Sequence, residues 1–396
     1  MESDGFGMPI EDLEHFHKLL EEGGIQNLSS FLSDKADEWK DSVINIAVCG
    51  GTYVGKSTFI NKLRGVGEND VGYAPVGIGD TTLEPTPYKH PKNDNMVFWD
   101  LPGVGTLKYP RDQSYLMTIE IERYDFFLIM SDQCFSENDS WLAKEVQKHK
   151  KKFFFVRSKL DEAFSNASID GQHIEEIVPR LYLSCSENLV KAGIKDSRIF
   201  IISNYNHEIG QFDDLITAIL ETLSSSKKEA ILHSIGPLTH QIIREKKKML
   251  QIRAFLKGFL PAFYTIPVVG NYFNDTKLIE KELEYCMAQF GLDDVSLDYI
   301  CRDIKTTKDQ ITSSLNHYKG LKETGVGVVG KLSDVASHPQ AERFLGKFKK
   351  YKPLVKLALS GMVAYGTSVY FLRQQINFME EDAHALVDLV IEKHKK

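Results

Sequence analysis

Between Val43 and Ser203 short apolar runs recur: VINIAVCG (43–50), NMVFWD (95–100), YDFFLIMS (124–131), KFFFVRS (152–158) and RIFIIS (198–203). They are nearly continuous rather than alternating, as strands are when both faces of a sheet are covered. Amphipathic stretches lie between most of them, including Lys56–Leu63, Ser114–Glu122, Asp139–Lys150 and Phe212–Leu223. Strands alternating with helices predict an α/β fold, a mostly parallel sheet with helices on both faces. The flanks differ. Residues 8–40 place Phe16, Leu19 and Leu20, then Leu28, Phe31 and Leu32, at helical spacing, with Gly23 and Gly24 as a break. After SSSKK (224–228) no further strand is expected, and the remainder reads as helix. The expected division is a helical segment over 1–40, an α/β domain over 41–225 and a helical domain over 226–396.

Composition narrows the class. Of 396 residues 42% are apolar and 26% charged, which excludes wholesale disorder. A net charge of -7 argues against non-specific nucleic-acid binding. The 5 cysteines (Cys49, Cys134, Cys185, Cys286, Cys301) show neither CxxC nor Cys/His zinc spacing, so small core side chains in a reducing compartment are expected. The first residues hold no basic start followed by an apolar run, and Glu2 stands where N-myristoylation needs glycine. The last residues hold no prenylation cysteine, and no apolar stretch reaches membrane-spanning length. A cytoplasmic protein is expected.

The strongest local signal is Gly50-Gly51-Thr52-Tyr53-Val54-Gly55-Lys56-Ser57, a full GxxxxGK[ST] pattern fed by a strand and left by an apolar helix that starts Ser57-Thr58. Its glycines let backbone N–H groups wrap a phosphate, and the helix N-terminus adds positive potential. Lys56 is placed on the β- and γ-phosphates, and Ser57 on Mg2+. Three further segments follow in order at strand ends. Asp100-Leu101-Pro102-Gly103 supplies DxxG, with Asp100 reaching Mg2+ through water and the Gly103 N–H meeting the γ-phosphate. Ser158-Lys159-Leu160-Asp161 fits [NT]KxD with serine in first place. One carboxylate there accepts both N1–H and N2–H of guanine, an arrangement adenine does not offer. The Lys159 stem can lie over the base while its ammonium ties back to the P-loop. Ser203-Asn204 completes the set as a base-supporting loop. A site that hydrogen-bonds its substrate this way rejects an analogue lacking the donors by about 10⁴-fold.

These residues resemble the interferon-inducible immunity-related GTPases. The resemblance is carried by STFINKLRGVG (57–67), YAPVGIGDTTLEPTPYKHP (73–91), WDLPGVGT (99–106), YDFFLIMS, FFFVRSKLD, TIPVVGNYF (265–273) and FGLDDVSL (290–297), covering nearly the whole chain. It implies a Ras-like P-loop GTPase domain seated on an all-α domain built from both chain ends. It further implies GTP and GDP binding with Mg2+, nucleotide-dependent self-association through the nucleotide face, and a part in cell-autonomous innate defence. Recruitment to intracellular membranes, notably vacuoles around pathogens, is implied too, as are other GTPases of the family as partners. Thr82, with Thr81 beside it, occupies the place that offers a hydroxyl to Mg2+ and γ-phosphate. Asp80 stands where family members often carry a Glu implicated in catalysis-competent dimers, and Val76 replaces a common switch threonine. Lys56 places the chain with the GKS type rather than the subset with methionine.

Val104 follows DLPG where Ras-like enzymes place a water-orienting Gln, so an isolated chain is expected to hydrolyse GTP slowly. The catalytic set read from sequence is Lys56, Asp80, Thr82 and Gly103. Two other classes are weighed: a P-loop kinase, which leaves DxxG and SKxD unexplained, and a nucleotide-gated scaffold with negligible turnover. In the helical part, 255–273 is apolar but holds two prolines and reads as helix, break, helix. The apolar Leu357–Leu372 reads first as a buried helix packing through small residues.

Overall fold

The computed structural model describes residues 18, 22, 27, 30–76, 84–105, 108–133, 135–170, 173–194, 198–264, 276–323 and 359–394. Six strands form one sheet: β1 (Ile44–Gly50), β2 (Thr86–His90), β3 (Asn93–Asp100), β4 (Phe126–Ser131), β5 (Lys152–Arg157) and β6 (Ile199–Ile201). Their spatial order is β2-β3-β1-β4-β5-β6. All pairings are parallel except β2 with β3. Every residue of β4 is buried, and only Asn45 of β1 is partly open, as the continuous apolar runs require. The expected mostly parallel sheet is present.

The strand missing from the sequence reading is β2, TPYKH. It lies at the sheet edge with residues alternately half-buried and exposed, and it contains Pro87. An edge strand covered on one face has no continuous apolar run, and proline is tolerated there.

The connecting helices are α1 (Lys56–Arg64), α2 (Gln113–Ile119), α3 (Glu137–Lys148), α4 (Leu160–Ile169), α5 (Ile177–Lys191) and α6 (Phe212–Thr222). The core between sheet and helices includes Leu101, Tyr115, Tyr124, Phe127, Ile129, Phe155 and Cys185. Helix α7 (Ser225–Ser234) also folds with the sheet, although composition groups it with the helical remainder. Lys227 pairs with Asp125 at 2.5 Å, and Asp125 accepts the Asn45 N–H of β1 at 2.9 Å. Ala230, Ile231, Leu232 and Ile235 are buried. The compact unit holding the sheet accordingly runs from Lys40 to Ile242, together with Val390–Lys396.

The second unit joins the residues up to Trp39 with Ile243–Leu389. It contains helical residues 30–37, most of α8 (His240–Tyr264), α9 (Thr276–Gln289), α10 (Asp294–Asp303), α11 (Lys308–Ser313) and most of α12 (Leu359–His394). A buried cationic knot holds the N-terminal helix to the later ones. Arg253 donates to Glu282 at 2.6 and 3.2 Å, to Asp37 at 2.9 Å and to the Ala36 carbonyl at 2.8 Å, with its guanidinium 4.2 Å from the Tyr285 ring centre. Helix α12 enters the same unit through the Lys247–Glu380 pair at 2.6 Å and through Asp382, which accepts the His317 N–H. The helical unit therefore draws on residues both before and after the sheet strands in the chain.

Cys49, Cys185 and Cys286 are buried and form no disulfide, and burial pushes the Cys49 and Cys286 thiols well up. The segment 265–273 lies outside the described residues, and α8 takes in Pro261 before ending at Tyr264. Among the described residues no helix is long and apolar enough to cross a membrane.

Candidate functional site

Strand β1 lies between β3 and β4, so the chain leaves it toward one side of the sheet and later returns to the other. The crevice at such a switch point, outside the carboxyl ends of the strands, is where α/β sheets bind ligands. The predicted segments meet there. Gly50 ends β1, Asp100 ends β3, Arg157 ends β5 and Ile201 ends β6.

Gly50 has φ 140, and a Cβ on it would lie 2.0 Å from the Met130 carbonyl oxygen of β4, so no side chain fits. The loop then turns through Tyr53 at φ 67 and Gly55 at φ 88. Gly51, Thr52 and Tyr53 are exposed, Val54 is buried, and Gly55, Lys56, Ser57 and Thr58 are half-buried. Gly55 caps α1 without a side-chain bond, which leaves first-turn N–H groups for an anion. The Lys56 ammonium bridges the loop, donating to Gly51 O at 2.8 Å and Gly50 O at 3.2 Å.

Ser57 Oγ donates to Asp100 Oδ2 at 3.2 Å. A hydroxyl beside a buried carboxylate is a hard oxygen donor pair, the kind Mg2+ takes alongside phosphate and water. Gly103 lies against the P-loop, its Cβ position 3.5 Å from Gly50 O. Val104 turns inward and packs with Leu101, Tyr109 and Tyr115. It presents nothing to a water molecule.

On the base side Ser158 is buried. Its hydroxyl lies 2.6 Å from the P-loop carbonyl of Val54 and 3.1 Å from that of Ser131. Lys159 starts α4 in the left-handed conformation, φ 58, and its ammonium pairs with Asp132 at 3.2 Å and Glu162 at 3.8 Å. The expected tie from Lys159 to the P-loop is thus made by Ser158, because two carboxylates lie nearer the lysine. Asp161 sits half-buried in the first turn of α4, its carboxylate without hydrogen bond or ion pair among the described residues. Asn204 Nδ2 donates to Gly55 O at 3.0 Å, so the last motif also reaches the phosphate loop. The Ser203 hydroxyl accepts the N–H groups of Tyr205 and Asn206, both at 3.1 Å, closing its turn. Asp80, Thr81 and Thr82 lie outside the described residues. The chain leading to them is held on α1: Asn61 exchanges two hydrogen bonds with Ala74, and Arg64 donates to Gly72 O at 2.8 Å.

Asp139 is missed by the sequence reading. Burial raises its carboxyl above the usual range, against hydrogen bonds from Ser136 and the charge of Lys56. With Ser136 it forms the capping box of α3, and the Ser-x-x-Asp spacing of Ser136 to Asp139 is its signal. Next to it, Asn138 fills the space where a Cβ on Gly105 would sit, 2.3 Å away. Only the fold reveals that contact.

The family model for Interferon-inducible GTPase (IIGP) matches residues 10–333. The chain is 34% identical over 311 residues to Interferon-inducible GTPase 1 of Mus musculus, covering 77% of this chain and 75% of that one. It is 31% identical over 387 residues to Interferon-gamma-inducible GTPase 10 of Mus musculus, covering 95% and 88%. It is also 31% identical over 383 residues to Interferon-inducible GTPase 5 of Rattus norvegicus, covering 95% and 82%. A P-loop with DxxG and SKxD segments ordered around one mostly parallel sheet, and a family model spanning most of the chain, agree: this chain belongs to the interferon-inducible GTPase family and is a GTPase.

Proposed function

We propose that GTP is bound and hydrolysed at the carboxyl edge of the sheet, with the phosphates in the loop Gly50 to Ser57 and the base against Lys159 and Asp161. The observation that carries this is the double tie from the base-reading loops to the phosphate loop. Ser158 bonds Val54 O and Asn204 bonds Gly55 O, so the two ends of the nucleotide site are one construction. Lys56 neutralises the β- and γ-phosphates, and the Gly103 N–H donates to the γ-phosphate. Ser57 and Asp100, with Thr82, would hold Mg2+, which when bound supplies charge neutralisation on the phosphate oxygens.

The inward Val104 leaves DLPG without a water-orienting side chain, so the isolated chain turns over slowly. A second copy across the nucleotide face completes the site, with Asp80 contributing there. Exposed Tyr53, Val76 and Tyr205, on loops bordering the site, support such a face. The cellular setting rests on family membership: a cytoplasmic chain recruited peripherally to intracellular or pathogen-containing membranes in cell-autonomous defence. Phosphate release at several protein concentrations tests the reading. The rate per protomer is expected to climb with concentration; a flat, near-zero rate with tight GTP binding points instead to a scaffold.

A further inference from the structure

In a trans peptide the carbonyl and the N–H point in opposite directions across one rigid plane. The unit joining Pro102 to Gly103 is of this kind. Its carbonyl end is fixed: the Tyr115 hydroxyl donates to Pro102 O at 3.0 Å in a buried setting. Its other end, the Gly103 N–H, makes no hydrogen bond among the described residues and belongs to the residue that lies against Gly50 O of the phosphate loop.

Tyr115 itself is held on every side. Asp112 caps α2 and accepts the Ser114 and Tyr115 N–H groups. The ring makes edge-on contacts with Tyr109 at 6.0 Å and Trp141 at 6.2 Å. The chain after DLPG folds back onto this cluster, the Gly105 N–H donating to Tyr109 O at 2.7 Å. Burial keeps the phenol well above its ordinary value, so the hydroxyl stays a donor across the physiological range.

We propose that Tyr115 is a positioning residue for the γ-phosphate: by holding the Pro102 carbonyl it aims the Gly103 N–H of the same peptide into the phosphate site. This rests on the reading of DxxG given under Proposed function. Without the hydroxyl the peptide plane is free to rotate, and the donor spends less of its time toward the phosphate. GDP has no γ-phosphate to sense the difference. Tyr115 is therefore a determinant of GTP over GDP, acting through Gly103 rather than by touching the nucleotide.

The test uses the full chain with Tyr115→Phe, which keeps the ring and removes the hydroxyl. Tyr124→Phe is the matched control. Its hydroxyl makes the same kind of buried bond, to Ile119 O at 2.7 Å, in the same core. Affinities for GDP and a non-hydrolysable GTP analogue, single-turnover hydrolysis rate and melting temperature are measured for each. Both variants are expected to lose similar thermal stability. Tyr115→Phe alone is expected to bind the GTP analogue about tenfold more weakly with GDP affinity unchanged, and to hydrolyse GTP more slowly. An unchanged affinity ratio and rate in Tyr115→Phe, or an equal loss in Tyr124→Phe, overturns the inference while leaving the GTPase site standing. A wild-type chain that binds neither nucleotide overturns the site reading and this inference together.

Discussion

Lys56 occupies the mouth of the phosphate loop, its ammonium shared between two backbone carbonyls that cannot match a phosphate as partner. Lys56→Ala is expected to weaken GTP binding by about 2–5 kcal/mol, the cost of removing a charge partner from a desolvated site. Fluorescence titration reads the loss, and an unaltered far-ultraviolet circular dichroism spectrum shows that the fold survives. Asp161 is the complementary case at the base end, a carboxylate set in the first turn of α4 with no protein partner of its own among the described residues. Asp161→Asn is expected to lower guanine affinity and raise that for xanthine nucleotides, because the amide donates to the carbonyl that xanthine carries in place of the 2-amino group. Competition between GTP and XTP checks this. An unmoved ratio removes Asp161 from the base site.

Elements meet at Gly50, where β1 becomes the phosphate loop against the backbone of β4. The ladder places Gly50 opposite Met130, and the methyl of an alanine would overlap the Met130 carbonyl. Gly50→Ala is expected to destabilise the sheet unit by about 1–3 kcal/mol through overpacking, and to lose nucleotide binding as the loop shifts. Urea denaturation with and without GDP reads both effects. Glycine at this place is legible from the motif alone, but the motif does not say which strand crowds it. The edge strand β2 shows the opposite failing: its half-exposed, proline-containing pattern carries no strand signal until β3 is beside it.

For the molecule as a whole, the helical unit depends on Arg253, which joins the N-terminal helix to α8 and α9 through Asp37, Ala36 and Glu282. Arg253→Ala is expected to destabilise that unit by about 3–5 kcal/mol, since it leaves buried carboxylate uncompensated. Differential scanning calorimetry of the full chain should show one transition lowered. The same knot sets an acid sensitivity. Burial pushes the Asp37 carboxyl up, but hydrogen bonds and charge from Arg253 and Lys257 outweigh it and hold it well below the usual carboxylate range. A depressed carboxyl contributes stability in full above its unfolded pKa of about 4, and loses it as pH falls below that value. The stability gap between wild type and Asp37→Asn is therefore expected to be larger at neutral pH than at pH 3.

What the sequence determined by itself were the features written in neighbouring residues. A glycine-rich loop between an apolar run and an amphipathic stretch, motifs in fixed order at strand ends, and an acidic chain without zinc spacing require no knowledge of what touches what. They yield the fold class and the family, and they supply the segments from which the proposed nucleotide site is built. The tertiary structure decided the contacts between residues far apart. Ser158 reaches Val54 across 104 positions and Asn204 reaches Gly55 across 149, so the tie between base and phosphate ends exists only once β1, β4, β5 and β6 are assembled in one sheet. The same holds for α7, drawn to the sheet by Lys227 and Asp125, and for the inward turn of Val104. Periodicity records whether a side chain is buried, while its partner is chosen by packing, which no local pattern encodes.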